Sequence, residues 1–325
     1  MAKTLLVTFG CSYTFGVGAY YRHGMLSEDF RKNAWNKEVC DRDSWRGILC
    51  RRHGLDNVNF ASGGSSNQKQ FRLAREYFSS QEFLHHRHLF DRIIVLWGTT
   101  STARNEVWCV NNRSYRDVTY TKADEFAKFF VTHCYDHNVE VTALKYEILH
   151  WNTFFQALSI DNYWFDSFNT HNYYDDGSVD NSTNYFMDTP KQRYEALAGP
   201  DWPSFERYCN RDWTNVPTHV IEEITNMNLC DDSRYQLSVH FAPATRLLPR
   251  MLGYQNQPCD LVTWLCKQEK ISPNQSQYHF SNWHIDDDRV QHLVDAGLLN
   301  PFSHHPTPQG HAMIADFFSQ QIDLG

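Results

Sequence analysis

Several absences narrow the class of this chain before any motif is considered. No apolar run approaches the roughly 20 residues a membrane-spanning helix needs, so no membrane partner is expected. Met1-Ala2-Lys3 leads straight into an apolar β run, without the hydrophobic region and cleavage site of a signal peptide. A chain that folds in the cytoplasm is the expectation. No block of Lys or Arg occurs, and 30 basic against 38 acidic residues leave a net charge of −8. That balance argues against nucleic acid as a main partner. Cys-x-x-Cys pairs are also missing, and nine cysteines, an odd number, read as reduced thiols rather than a disulfide framework. His85-His86-Arg87-His88 has no Cys or carboxylate at ligand spacing, so it reads as a polar helix end and no metal is assigned. No internal repeat is found.

What is present begins with Leu5-Leu6-Val7-Thr8-Phe9-Gly10-Cys11-Ser12-Tyr13-Thr14-Phe15-Gly16, an apolar run that ends abruptly in a serine among small residues. A buried strand delivers its last residue to the carboxyl edge of a parallel sheet, and glycines at 10, 16 and 18 let the backbone turn there. A hydroxyl at that point is held on a rigid support near main-chain N–H groups, as a nucleophile requires. Two further strands end in the same manner. Val58-Asn59-Phe60 runs into Ala61-Ser62-Gly63-Gly64-Ser65-Ser66-Asn67, and Arg92 to Trp97 runs into Gly98-Thr99-Thr100-Ser101. Near the other terminus, Phe302-Ser303-His304-His305-Pro306-Thr307-Pro308 places a histidine ahead of an amphipathic helix with Thr307 as its N-cap, which is how a general base is held.

The remaining chain reads as strand, turn and helix in alternation. Helices are expected over 43–53 and 67–78, two more within 122–158 divided near 136–138, a strand over 163–168 with Asp166 near its end, and a short helix over 260–267. From about 169 to 299 the regularity breaks down into turns rich in Asn, Asp, Tyr and Trp. Tyr163, Trp164, Tyr173, Tyr174, Trp202, Trp213 and Trp283 are candidate platforms for sugar rings, or else core residues of their own segments.

Four of these blocks, in their order, resemble the SGNH (GDSL-like) hydrolase superfamily: Gly10-Cys11-Ser12, Asn59 to Gly64, Gly98-Thr99-Thr100, and His305 followed by Pro306. The resemblance covers about positions 4–105 and 300–320, and the opening phrase is similar to hydrolase-like proteins encoded by bacteriophages. It implies a three-layer α/β/α fold, flavodoxin-like, with a parallel sheet of about five strands. Residues 1–168 and 300–325 would form that core, with 169–299 as an insertion packed at the catalytic edge. The implied activity is serine ester hydrolysis, on an acylated carbohydrate if the aromatic platforms serve it. Ser12 is the nucleophile, His305 the general base, and Gly64, Thr100 and Asn67 are oxyanion donors, with Arg104 an alternative to Thr100. No cofactor is implied. Three residues depart from the family pattern: Cys11 for Asp, Thr100 for the oxyanion Asn, and Phe302 for the triad Asp. A backbone carbonyl, or a carboxylate from elsewhere such as Asp286-Asp287-Asp288, could orient the histidine instead. The competing expectation is a non-catalytic glycan-binding or virion structural protein on the same scaffold.

Overall fold

The computed structural model describes residues 3–102, 104–119, 125–135, 137–167, 198–204, 207, 212–227, 250, 253–254, 257–258, 261–269 and 288–324. Its centre is a parallel sheet of β1 (Thr4–Phe9), β2 (Asp56–Asn59), β3 (Arg92–Thr99) and β6 (Asp161–Asp166), in the order β2-β1-β3-β6. About five strands were expected; the sheet has four among the described residues. Register is set by Val7 opposite both Val58 and Val95, and by Trp97 opposite Trp164.

Both faces are covered, which explains the almost continuous apolar strands. Leu5, Val7, Phe9, Ile93, Val95, Trp97 and Trp164 point to one face, where α5 (Asn67–Phe78), α6 (Gln81–Leu89) and α8 (His137–Ala157) cover them. Leu6, Ile94, Leu96, Tyr163 and Phe165 point to the other. There they meet α4 (Trp45–His53), α10 (Leu261–Gln268), α11 (Asp288–Asp295) and α12 (Pro308–Gln321). Leu261, Val262, Trp264 and Leu265, with Leu293, Leu298 and Leu299, therefore belong to the same apolar core as the sheet.

Two of the aromatic candidates are core residues. Trp164 is fully buried and stacks on Trp97 at 4.7 Å, and Tyr163 is buried beneath Arg250. An aromatic side chain buries about 150–250 Å², so exposing Trp164 would forfeit about 4–6 kcal/mol at about 25 cal/mol per Å². Tyr173, Tyr174, Trp283 and Asp286-Asp287 lie outside the described residues.

The remaining elements are α1 (Ser12–Phe15), α2 (Ser27–Asn33), α3 (Lys37–Asp43), the antiparallel hairpin β4 (Arg104–Cys109) and β5 (Ser114–Thr119), α7 (Glu125–His133), α9 (Thr218–Met227), and the pair β7 (Gly253–Tyr254) and β8 (Gln257–Pro258). The hairpin is fastened to α5 by a forked ion pair from Arg72 to Glu106. Among the described residues no helix is long and apolar enough to cross a membrane, and Cys11, Cys40, Cys50, Cys109 and Cys134 are free thiols.

Strand order positions the site. The chain leaves β1 through α1 to α4 and returns as β2 on one side, while β3 lies on the other. The carboxyl ends of β1 and β3 therefore flank a switch point, the usual crevice of an open α/β sheet. Beyond its last ladder residue, the β2 segment continues along β1, with Phe60 N donating to Thr8 O and Ser62 N to Gly10 O.

Candidate active site

Ser12 opens the single turn of α1 directly past β1 and is buried. Its Oγ lies 2.7 Å from Nε2 of His305, a residue 293 positions away. Thr14, on the same turn, wedges between the strand ends. A Cβ on Gly10 would stand 2.0 Å from its Oγ1, and one on Gly98 2.6 Å from it. Room for Thr14, rather than a left-handed turn, is thus what glycine supplies at position 10.

His305 is brought to Ser12 by a short bridge, Leu299 to Pro306, and by the start of α12, where Thr307 Oγ1 accepts from Gly310 N as the expected N-cap. Tyr13, the neighbour of Ser12, holds the same loop: its hydroxyl donates to His304 O at 3.0 Å and its ring lies 5.0 Å from the His305 ring.

The other face of the imidazole decides its tautomer. Nδ1 lies 2.8 Å from the Ser303 carbonyl and 3.0 Å from Ser303 Oγ. A carbonyl oxygen only accepts, so Nδ1 carries the hydrogen and Nε2 keeps its lone pair toward Ser12. Among the described residues no carboxylate bonds His305, in keeping with Phe302 at the place of an acid. The Phe302 ring turns away to pack on Phe30 and Tyr21, at 5.6 and 6.0 Å. Asp166, buried at the sheet edge, takes the Thr99 hydroxyl instead.

Burial pushes the His305 pKa from 6.5 down to about 3. The Ser303 carbonyl opposes that shift, and Arg104, His311 and His304 add to it. His311, fully buried on α12, is likewise lowered by burial, to about 4. With His305 as the expected base, an imidazole that stays neutral in acid predicts that the acid limb of kcat/KM falls well below pH 6.5, the ordinary histidine value. A rate profile with its midpoint at or above that value contradicts the burial argument. The stability consequence has a definite sign. Both groups are lowered on folding, so below 6.5 the unfolded chain binds more protons; stability is complete above that pH and is lost as pH falls toward about 4 and 3.

The candidate oxyanion residues sit at the neighbouring strand ends. Ser12 N belongs to the first amides of a helical turn, which have no intrahelical acceptor. Gly64 is exposed in the turn after β2 at φ +67, with open space where a Cβ would stand. Thr100 follows β3 and is fully buried; its Oγ1 accepts from Arg104 Nη1 at 3.2 Å. Asn67 Nδ2 donates to Thr100 O at 2.8 Å, and Thr100 N donates to Asn67 Oδ1 at 2.9 Å. The Asn67 amide is therefore engaged in holding the Thr100 backbone. His86, from the histidine-rich run, pairs through Nδ1 with Tyr77 OH at 2.8 Å near the end of α6.

No protein-family model matches the chain, and no curated protein matches it. Among solved structures it is similar to a protein from Desulfitobacterium hafniense DCB-2 described as lipolytic and of the G-D-S-L family. That likeness has 11% identity and a TM-score of 0.37, covering 98% of this chain and 99% of the other. It is also similar to a protein described as a GDSL-like lipase from Parabacteroides merdae ATCC 43184, at 10% identity and a TM-score of 0.34, covering 100% and 97%.

Proposed function

We propose that the chain is a serine ester hydrolase of SGNH type in which Ser12 and His305 act as a pair without a carboxylate. The observation that carries this reading is the 2.7 Å contact between Ser12 Oγ and the unprotonated Nε2 of His305 at the switch point of the sheet. Ser12 Oγ attacks the ester carbonyl carbon as its proton passes to Nε2, and the tetrahedral oxyanion is taken by the N–H groups of Ser12 and Gly64 with the Thr100 hydroxyl. Collapse breaks the bond to the alcohol, which leaves with the proton from Nε2. Water then attacks the acyl group, its proton passing to Nε2 and on to Ser12 Oγ as the acid departs.

The substrate is proposed to be an acylated carbohydrate. Supporting this is Trp35, 52% exposed, whose ring lies so close over Gly63 that a Cβ there would meet it at 2.0 Å. The same ring packs 5.5 Å from Phe15, the last residue of the Ser12 turn. An exposed indole joining the nucleophile turn to the Gly64 turn is the kind of flat apolar surface on which a sugar ring stacks, and that supports the reading. The test is a screen of p-nitrophenyl esters from acetyl to dodecanoyl beside acetylated xylan and chitin oligomers. Turnover of the acetylated glycans, weakened in Trp35→Ala through KM, supports the reading. Turnover confined to long-chain esters overturns the glycan assignment, and no turnover of any ester favours the non-catalytic binder.

A further inference from the structure

Asn300 is fully buried and lies five residues before His305. Its Oδ1 accepts from Phe302 N at 3.1 Å, Ser303 N at 2.9 Å and Ser303 Oγ at 3.1 Å. Its Nδ2 donates to His305 O at 2.8 Å, and its own backbone N donates to the same carbonyl at 2.9 Å. The two N–H donors at Oδ1 fix which way the amide faces. One side chain thus ties both ends of the loop that carries the Ser303 carbonyl and hydroxyl to Nδ1. His304 within this loop is held at φ +52, a left-handed conformation that a non-glycine residue adopts only where its surroundings enforce it.

We infer that Asn300 is the positioning residue that takes over the orienting part of the missing triad acid, closing the loop into a clasp and polarising His305 through the Ser303 hydroxyl and carbonyl. The inference rests on the hydrolytic reading of Ser12 and His305. The chain of contacts runs from Nδ1–H of His305 to Ser303 Oγ, whose own hydrogen is donated to Asn300 Oδ1; the Ser303 carbonyl, aimed by the same loop, is the second acceptor. Every member is neutral. The clasp fixes the tautomer and the ring direction as a carboxylate would, but offers only dipoles to the imidazolium formed during turnover. Among the described residues, the Arg104 cation, His304 and His311 act on the ring electrostatically and the Tyr13 ring and Ser12 hydroxyl lie against it, none of them an anion.

The test compares Asn300→Asp, Asn300→Ala and Ser303→Ala with the parent chain by ester kinetics across pH, fluorophosphonate labelling, and NMR titration of the histidine rings. Asn300→Asp keeps an acceptor for the three donors and brings an anion near the imidazole, while giving up the Nδ2 donation to His305 O, where the backbone N of residue 300 still donates. The expected result is an upward shift of both the His305 titration and the acid limb of kcat/KM. Asn300→Ala frees the loop and should lower kcat by about 10²-fold or more with KM little changed, the loss associated with about 1 Å of misplacement. Ser303→Ala, which leaves the backbone carbonyl in place, should give a smaller loss in kcat and a downward shift of the limb. If Asn300→Ala does not fold, the other two variants carry the test through their opposite shifts. An unmoved titration in both overturns the clasp, as does a folded Asn300→Ala with parental kcat. Loss of labelling and turnover in the parent chain is a different failure, that of the hydrolytic reading.

Discussion

Replacing Ser12 by Ala is expected to lower kcat by well over about 10²-fold on whichever ester turns over best, with KM nearly unchanged. The size is informative because triad members act as a unit. In a carboxylate triad, loss of the serine or histidine costs about 2 × 10⁶ and loss of the acid alone about 3 × 10⁴. A Ser–His pair with no orienting group at all therefore retains only about 10² for the serine to lose. Here the Ser303 carbonyl holds Nδ1 at 2.8 Å and the loop is tied by Asn300, so the pair is oriented, with no carboxylate among the described residues bonded to it. The loss should fall between those limits. A value near the lower limit would mean the carbonyl orients nothing, and a value near the upper would mean a carboxylate is not needed. Rate measurements on a chain that keeps its circular dichroism spectrum decide among them.

The second large effect is expected at Gly18, which has no side chain to take part in the chemistry. It sits at φ +99, and a Cβ there would stand 2.1 Å from the carbonyl oxygen of Pro306, the residue after His305, and 3.2 Å from Asn300 Nδ2. Both obstacles act together. A non-glycine residue pays about 1–3 kcal/mol to hold such a backbone conformation, and the neighbour it strikes is main chain rather than the free end of a flexible side chain. Gly18→Ala should therefore lose about 1–3 kcal/mol in urea unfolding. It should also push the His305 loop away from Ser12, with a fall in kcat of about 10²-fold for about 1 Å of displacement. Gly24→Ala is the control. It too has positive φ, at +79, but nothing lies within 4 Å of its Cβ, so its cost is confined to stability. Equal rates for the two variants would show that the Gly18 to Pro306 contact does not position the histidine.

The elements that could be read from sequence are those with strong local signals. Helix α5 runs Asn67–Phe78 as expected because Ser66 caps it, accepting from Lys69 N, and its apolar residues follow the helical period. The strand β3 was legible as an unbroken apolar run, and the division between α7 and α8 as a polar break in the helical period. Ser12 stood out because it follows a patterned strand, and His305 because it precedes a patterned helix. Asn300 gave no such signal, since its bonds run from side chain to backbone inside an irregular loop, where no periodicity marks a hub. Phe302 read as the gap left by an acid; only packing shows that its ring joins Tyr21 and Phe30 while a main-chain carbonyl one residue on meets the imidazole. Tyr163 and Trp164 were ambiguous in principle, because a strand covered on both faces and a strand presenting aromatics to a ligand carry the same residues. The β4–β5 hairpin and α3 escaped notice because short elements fastened by ion pairs, such as Arg72 with Glu106, leave little hydrophobic pattern.

The most direct test is to treat the chain with a fluorophosphonate and locate the adduct by peptide mass spectrometry. The geometry predicts a single adduct on Ser12, absent from Ser12→Ala and formed far more slowly in His305→Gln. A chain that takes no label at any pH, or one whose label persists in Ser12→Ala, contradicts the nucleophile and base assignment on which the functional account stands.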